Sequence, residues 1–568
     1  MARAVVENTK KRKKIEECPY LDTIHRELLD FDMEPACSVT LESGPHVYAC
    51  LVCGKFYRGR GSQTPAYLHA VNEGHYCFVH LQQGTFHCLP EDYEIVDSSL
   101  DDISAALHPT FTEEDIVELD KNSELSRDWF GRRYLPGFIG LNNLDRTDGI
   151  NAMVQALAHV KPLRNFFLRQ SHRSLYVEAP LRKKRKKNGQ DKDHKNKAPQ
   201  RLSNLVLAFG ELIRKIWSNR RLKHSVDPQR LVQEISVASQ KRFGARRAEM
   251  GEQLAWFLHQ LHVGLGGTSK RSTIVHEIFQ GEVSVTTRSR KIVEEDRKQE
   301  DVDDRLGSDD EENEDERNKT EKSPSTIIEE KTVDTRFLQL TLEIPEKPLF
   351  KDDDGGLVIP QEPLVNVLRK FDGITFSDAL NGSTRRYKLE RLPPYLVLHL
   401  QRFTSNRYTR EKNPTIVAFP VKNFDLSRYV ERKKEDQPLP PSVAEIEQMS
   451  VSELKKTLQK YKHGDLGKNA VEKDELITIV KDFCVESLPD LLAHKYNLVA
   501  NITHASNDNN RREGDPLEEG SYKCHVQHQS QSQWYEMQDL HVQETMPQLI
   551  GLSESYVLIF ERKGAKLS

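Results

Sequence analysis

The chain has 568 residues, 30% of them charged against 37% hydrophobic, and a formal net charge of −4. That length exceeds one ordinary core and predicts two to four units separated by polar insertions. Eight cysteines are too few for a disulfide framework, and no run of about 18 apolar residues is long enough to span a membrane, so a reducing compartment and a chain neither secreted nor membrane-bound are expected.

Residues 1–14 form a basic tail that contains the unbroken run Lys10–Lys14, and a second such run spans Arg182–Lys187. Either run can address the nucleus or touch RNA. Residues 15–107 are read as a zinc-binding domain. Cys50 and Cys53 enclose two residues, His69 follows after fifteen and His75 after five more. Two thiolates on a tight turn and two imidazoles on one later segment can close a tetrahedron around structural Zn2+. Cys37, Cys77, His80 and Cys88 are read as core residues, with a second metal site left open. Residues 108–133 are expected to be a helical linker, because Leu100–Leu107 and Phe111–Leu119 space their apolar residues helically on either side of Pro109.

The large domain is assigned to residues 134–563 and carries three insertions. The basic one at 181–200 and the acidic one at 284–333 lack an apolar period and are expected to be disordered. In 449–484, Val451, Leu454, Leu458 and Tyr461 form one helical stripe, and a second starts near Lys473. This segment resembles the two-helix SAP module of nuclear nucleic-acid-binding proteins, and a charged hairpin without such binding is the alternative.

The most informative stretch is Gly140–Leu157, in which Gly140-Leu141-Asn142-Asn143-Leu144 leads into Asp148-Gly149-Ile150-Asn151. It is followed in order by Glu249–Leu258, Ile278–Gly281, Leu392–Phe403, Gly520-Ser521-Tyr522, Trp534-Tyr535, Asp539 and Tyr556–Phe560. Together these resemble the ubiquitin-specific proteases, and Cys18-Pro19-Tyr20-Leu21 with Arg58-Gly59-Arg60 resembles the UBP-type zinc finger. The resemblance implies an α+β protein: a small UBP-type finger, then a papain-like fold of thumb, palm and fingers. Ile278–Gly281 would begin the first fingers strand. The finger's ubiquitin-tail pocket is altered, and Arg60 is read as a surface or protein contact. Between Phe279 and Tyr395 there is no cysteine, so the fingers should fold without the zinc that many active members hold there.

The resemblance places the nucleophile at Asp148, the general base at Ser521, the orienting acid at Asp539 and the oxyanion donor at Asn143. A thiol protease needs a thiolate and an imidazole to take and return its proton. Aspartate and serine supply neither near pH 7, so the domain is expected to be a pseudo-deubiquitinase without catalytic residues or a bound cofactor beyond zinc. His525 lies four residues beyond Ser521, roughly 13 Å along a strand, too far to substitute. His504 is read as structural.

One UBP-type finger ahead of a protease body lacking both Cys and His resembles the tri-snRNP-associated, ubiquitin-protease-like splicing factors of eukaryotes. That resemblance implies a nuclear, non-catalytic factor in pre-mRNA splicing. It would stabilise the tri-snRNP through the large U5 scaffold protein and the helicase that unwinds paired U4/U6 small nuclear RNAs, with direct or indirect contact to small nuclear RNA left open. The alternatives are a ubiquitin-binding adaptor and an active deubiquitinase.

Overall fold

The computed structural model describes residues 14–15, 18–121, 124–169, 202–244, 248–292, 326–346, 350–351, 357–378, 383–405, 409–430, 446, 449–460, 473, 476–477, 480, 494–505 and 515–564. The expected basic insertion at 181–200 and nearly all of the tail at 1–14 lie outside them.

Strands β1 (Lys14–Ile15), β2 (Val47–Cys50), β3 (Phe56–Arg58), β4 (Cys77–His80), β5 (Phe86–Cys88) and β6 (Tyr93–Ile95) form a sheet in the order β1-β6-β5-β4-β2-β3, with helix α1 (Pro65–Glu73) against β3. Helices α2 (Asp101–Leu107) and α3 (Glu113–Glu118) follow. The second begins with a capping box, Thr112 and Asp115 each accepting the other's backbone N–H. The linker then ends not in helix but in a hairpin, β7 (Ser126–Arg127) and β8 (Arg133–Tyr134).

Among the described residues the helices α4 (Asp148–Ala158), α5 (Lys161–Arg169), α6 (Asn204–Trp217), α7 (Gln229–Ala238), α8 (Met250–Gly264) and α9 (Ile274–Phe279) come next. Every residue of α4 is buried, and Gly149, Ala152 and Ala156 let its neighbours approach closely. A palm sheet closes the core over these helices. It contains β11 (Leu340–Glu343), β14 (Tyr395–Gln401), β15 (Lys495–Ala505), β16 (Ser521–His528), β17 (Gln533–Gln538), β18 (His541–Thr545) and β19 (Ser555–Arg562), in the order β11-β14-β19-β15-β16-β17-β18. Because side chains alternate along a strand, β14 and β19 feed two cores. Tyr395, Val397, Val557 and Ile559 pack toward the helices, while Leu396, Leu398, Leu558 and Phe560 pack on the opposite face.

That second core supports the fingers sheet, β10-β9-β13-β12, made of β9 (Gly281–Ile292), β10 (Thr326–Phe337), β12 (Asp372–Asp378) and β13 (Thr384–Arg391). Two expectations change here. Residues 284–292 and 326–333 are paired strands, not ends of an acidic loop, with Val285 opposite both Val333 and Tyr387. Ile278 and Phe279 close helix α9, so the first fingers strand starts at Gly281. The remainder of the acidic segment, 293–325, falls outside the described residues. In 449–484, helix α10 (Val451–Lys460) brings Leu454 against Ile446, Leu476 and Val480 in a small separate apolar cluster.

The two domains share packing. Leu222 of the large domain is part of the finger's apolar core. Lys215 Nζ meets Asp32 at 2.9 Å and donates to the Phe31 carbonyl at 2.9 Å, and Lys223 meets Asp30 at 2.6 Å. No helix among the described residues is long and apolar enough to cross a membrane.

Candidate functional site

In the finger, Cys50 ends β2 and Cys53 sits on the turn to β3. Gly54, at φ 75°, closes that turn, its N–H bonding back to Cys50 O at 2.9 Å; a Cβ there would lie 2.2 Å from Leu28 O. Helix α1 carries His69, and Gly74, left-handed at φ 69°, ends the helix so that His75 turns back toward it. The four donor atoms lie within 4.8 Å of one another, with Cys53 Sγ 3.4 Å from His69 Nε2 and Cys50 Sγ 3.7 Å from His75 Nδ1. Zn–S bonds of about 2.3 Å and Zn–N bonds of about 2.0 Å at tetrahedral angles require separations of about this size. Tyr57 stacks on His69 at 4.1 Å and fixes its ring plane. The donors fit Zn2+, and the site, closed by four protein ligands, is structural.

Arg60, on the same domain, faces inward. Its guanidinium reaches His87 Nδ1 at 3.0 Å and Asp92 at 3.3 Å. The group that could clamp a free carboxylate is therefore engaged within the finger. Cys77 and Cys88 face each other across β4 and β5, and both are buried.

In the large domain the degenerate positions Asp148 and Ser521 and the remnants Asn143 and Asp539 lie on adjoining elements, α4, β16 and the loops beside them. Asp148 is the first residue of α4, buried, and its Oδ2 accepts the backbone N–H of Tyr522 at 2.8 Å. Tyr522 is the residue after Ser521 on β16, so helix head and strand start are joined. Before the helix, Asp145 and Arg146 both adopt left-handed backbone at φ 68° and 58°. Non-glycine residues rarely do so, and the loop is held there by Asn143, whose Oδ1 accepts from Thr147 N at 3.1 Å, and by an Arg146–Glu518 ion pair at 2.8 Å.

Asp539 does not face Ser521. Its carboxylate accepts from Asn143 Nδ2 at 3.0 Å and Asn151 Nδ2 at 2.7 Å, and its own carbonyl accepts from Leu141 N at 2.9 Å. The side chain facing Ser521 is that of Gln538, whose Nε2 donates to Ser521 Oγ at 3.2 Å. The register explains this. Met537 pairs with Cys524, so Gln538 shares the face of Ser521, and Asp539, one residue further at φ 51°, turns to the other side. Gln538 is thus a site residue that motif reading missed, and counting back from the hairpin turn would have found it.

Asp148, Ser521 and Gln538 offer a carboxylate, a hydroxyl and an amide. Among them there is no thiolate and no imidazole. Asn143 Nδ2, the group an oxyanion would need, is bonded to Asp539. His525 is buried and bonded to Glu536 at 3.1 Å, and burial pushes the neighbouring Cys524 thiol up, so neither is poised for chemistry. His504 is buried between Phe403 and Tyr522.

A second polar group lies behind Tyr522. Glu249 caps α8, accepting from Gly251 N and Glu252 N, and also meets His399 Nε2 at 2.7 Å and the hydroxyl of Tyr556. Burial raises the Glu249 pKa, but bonding to His399 and Tyr556 outweighs it and holds the carboxyl at about 2. Met250, the next residue, is fully buried against Gly149.

Comparison with known families agrees with this architecture. The family model for ubiquitin carboxyl-terminal hydrolase matches residues 139–560, and the model for the zinc finger in ubiquitin-hydrolases and other proteins matches residues 37–100. The chain belongs to the ubiquitin carboxyl-terminal hydrolase family and carries a UBP-type zinc finger ahead of the hydrolase fold. Within that family it is homologous to a particular branch. It is 37% identical over 551 residues to ubiquitin carboxyl-terminal hydrolase 39 of Homo sapiens, an alignment covering 96% of this chain and 80% of that one. It is 34% identical to the probable mRNA-splicing protein ubp10 of Schizosaccharomyces pombe, covering 96% and 88%. It is 28% identical to the pre-mRNA-splicing factor SAD1 of Saccharomyces cerevisiae, covering 68% and 72%. The crystal structure of an essential yeast splicing factor has the same fold, with TM-score 0.60 and 21% identity over 96% of this chain and 99% of that one.

Proposed function

We propose that this chain is a non-catalytic pre-mRNA splicing factor of the nucleus whose protease fold serves as a protein-binding scaffold for the tri-snRNP. The observation that carries the reading is the Asp148–Tyr522 hydrogen bond beside the Ser521–Gln538 pair. It occupies the position of a nucleophile and base with groups that cannot exchange a proton near pH 7. Splicing proteins among the homologues supply the biological setting. In that setting the large U5 scaffold protein and the U4/U6-unwinding helicase are the expected protein partners.

A complementation assay tests this. Splicing extract depleted of the protein should stall, and adding back either wild type or Asp148→Ala should restore splicing equally. Failure of a folded Asp148→Ala variant would mean that the carboxylate has acquired a direct role. The ubiquitin-adaptor alternative is disfavoured by the engagement of Arg60 with Asp92 and His87, and ubiquitin binding lost on Arg60→Ala would revive it.

A further inference from the structure

Between the finger and the large domain, the β7–β8 hairpin ends in a turn built to be rigid. Asp128 is buried, its N–H bonds to Arg132 O at 3.0 Å, and its carboxylate accepts Arg132 N at 2.8 Å. Gly131 takes φ 78° and bonds back to Asp128 O at 3.0 Å. What this turn presents is Trp129 and Phe130, 51% and 55% exposed. Two adjacent aromatic rings at a fixed apex are costly to leave in water unless something covers them.

The surroundings indicate the chemistry of that cover. The guanidinium of Arg26, held by Asp102 at 2.5 Å, lies 5.0 Å from the Trp129 ring centroid and braces one side of the indole. Arg127, Arg132 and Arg133 project from the same hairpin; all three are exposed, and none forms an ion pair with a described residue. The Arg127 guanidinium donates to Gly131 O, and the Arg132 guanidinium contacts the His224 ring. The cations are all arginines, whose planar donors suit phosphate and whose faces stack on bases. The one carboxylate of the turn, on Asp128, is consumed within it.

We propose that this hairpin is a binding site for single-stranded RNA, in which bases stack on Trp129 and Phe130 while phosphates pair with Arg127, Arg132 and Arg133. Unstacked bases fit a protruding aromatic tip, whereas the deep, narrow major groove of an RNA duplex does not admit one. The site would give the protein a direct RNA contact, beyond the protein scaffold argued above and independent of it.

Anisotropy of a labelled mixed-sequence single strand of about 12 nucleotides, titrated with the full chain, tests the proposal. Binding should weaken about tenfold in Trp129→Ala and in Phe130→Ala. Arg132→Glu should weaken it and make the logarithmic salt slope shallower by about one. Leu549→Ala, at an exposed residue on the C-terminal helix, should bind as wild type, and melting curves should show all four variants folded. RNA binding unchanged by the tip substitutions would trace it to the basic runs and overturn the proposal. So would absence of RNA binding, or a glutamate-rich peptide displacing the RNA from the tip and binding it more tightly.

Discussion

Asp148 joins the helix head to β16 through a buried hydrogen bond. Asp148→Ala strands the Tyr522 N–H and should destabilise the fold by about 1–3 kcal/mol in chemical denaturation, whereas Asp148→Asn, which keeps an acceptor oxygen, should lose less. Equal losses would show that charge at the helix start, not the acceptor, matters. Placing Cys at 148 and His at 521 should still give no turnover of a fluorogenic ubiquitin substrate, because Gln538 supplies no carboxylate to stabilise an imidazolium and Asn143 is tied to Asp539. Glu249 carries a pH prediction. Its folded pKa, about 2, is below an ordinary glutamate's, so it contributes stability above about pH 4.5 that is lost as pH falls toward 2. Glu536, held at about 2 first by its bond to His525, acts in the same direction. Glu249→Gln should flatten the fall in stability between about pH 4.5 and 2, and an unchanged slope would contradict this. At this scale the zinc ligands were legible because residue type and spacing carry their chemistry, whereas Asp148 and Ser521 were placed by the family resemblance. Gln538 was not legible, because which of two neighbours faces Ser521 depends on hairpin register.

The zinc-binding knuckle and α1 depend on one ion to hold β2, β3 and the helix together. Cys53→Ser should lose zinc by elemental analysis and, since zinc binding in such small modules is folding free energy, should unfold the finger. Retained zinc would place the ligands elsewhere. The damage should not stop at the domain boundary. Lys215 is buried between Asp32 and Glu211, whose charges raise its pKa against the opposing effect of burial. Lys215→Met would leave Asp32 without its cation and should cost about 3–5 kcal/mol. This junction was not legible beforehand. Leu222 and Lys215 look like ordinary body residues until the finger is seen packed on them. The ends of the acidic segment were misread for a related reason. Arg288, Glu330, Lys331 and Asp334 give the strands a charged composition, and the cross-strand pairing that makes them a sheet, including the Arg288–Glu330 ion pair, lies over forty positions apart in the chain.

As a whole molecule, the chain joins a zinc-dependent finger to a complete thumb, palm and fingers frame whose centre is filled by hydrogen-bonded groups. The order of motifs along the sequence was enough to read that frame, because each marks a strand or helix of one large core. A scaffold of the kind proposed acts through its surfaces. The most direct measurement is affinity purification of the tagged protein from nuclear extract at moderate salt, with protein and RNA read from one eluate. Co-elution of the large U5 protein, the unwinding helicase and paired U4/U6 RNAs is the predicted result. Recovery of ubiquitin conjugates without those RNAs would contradict the account.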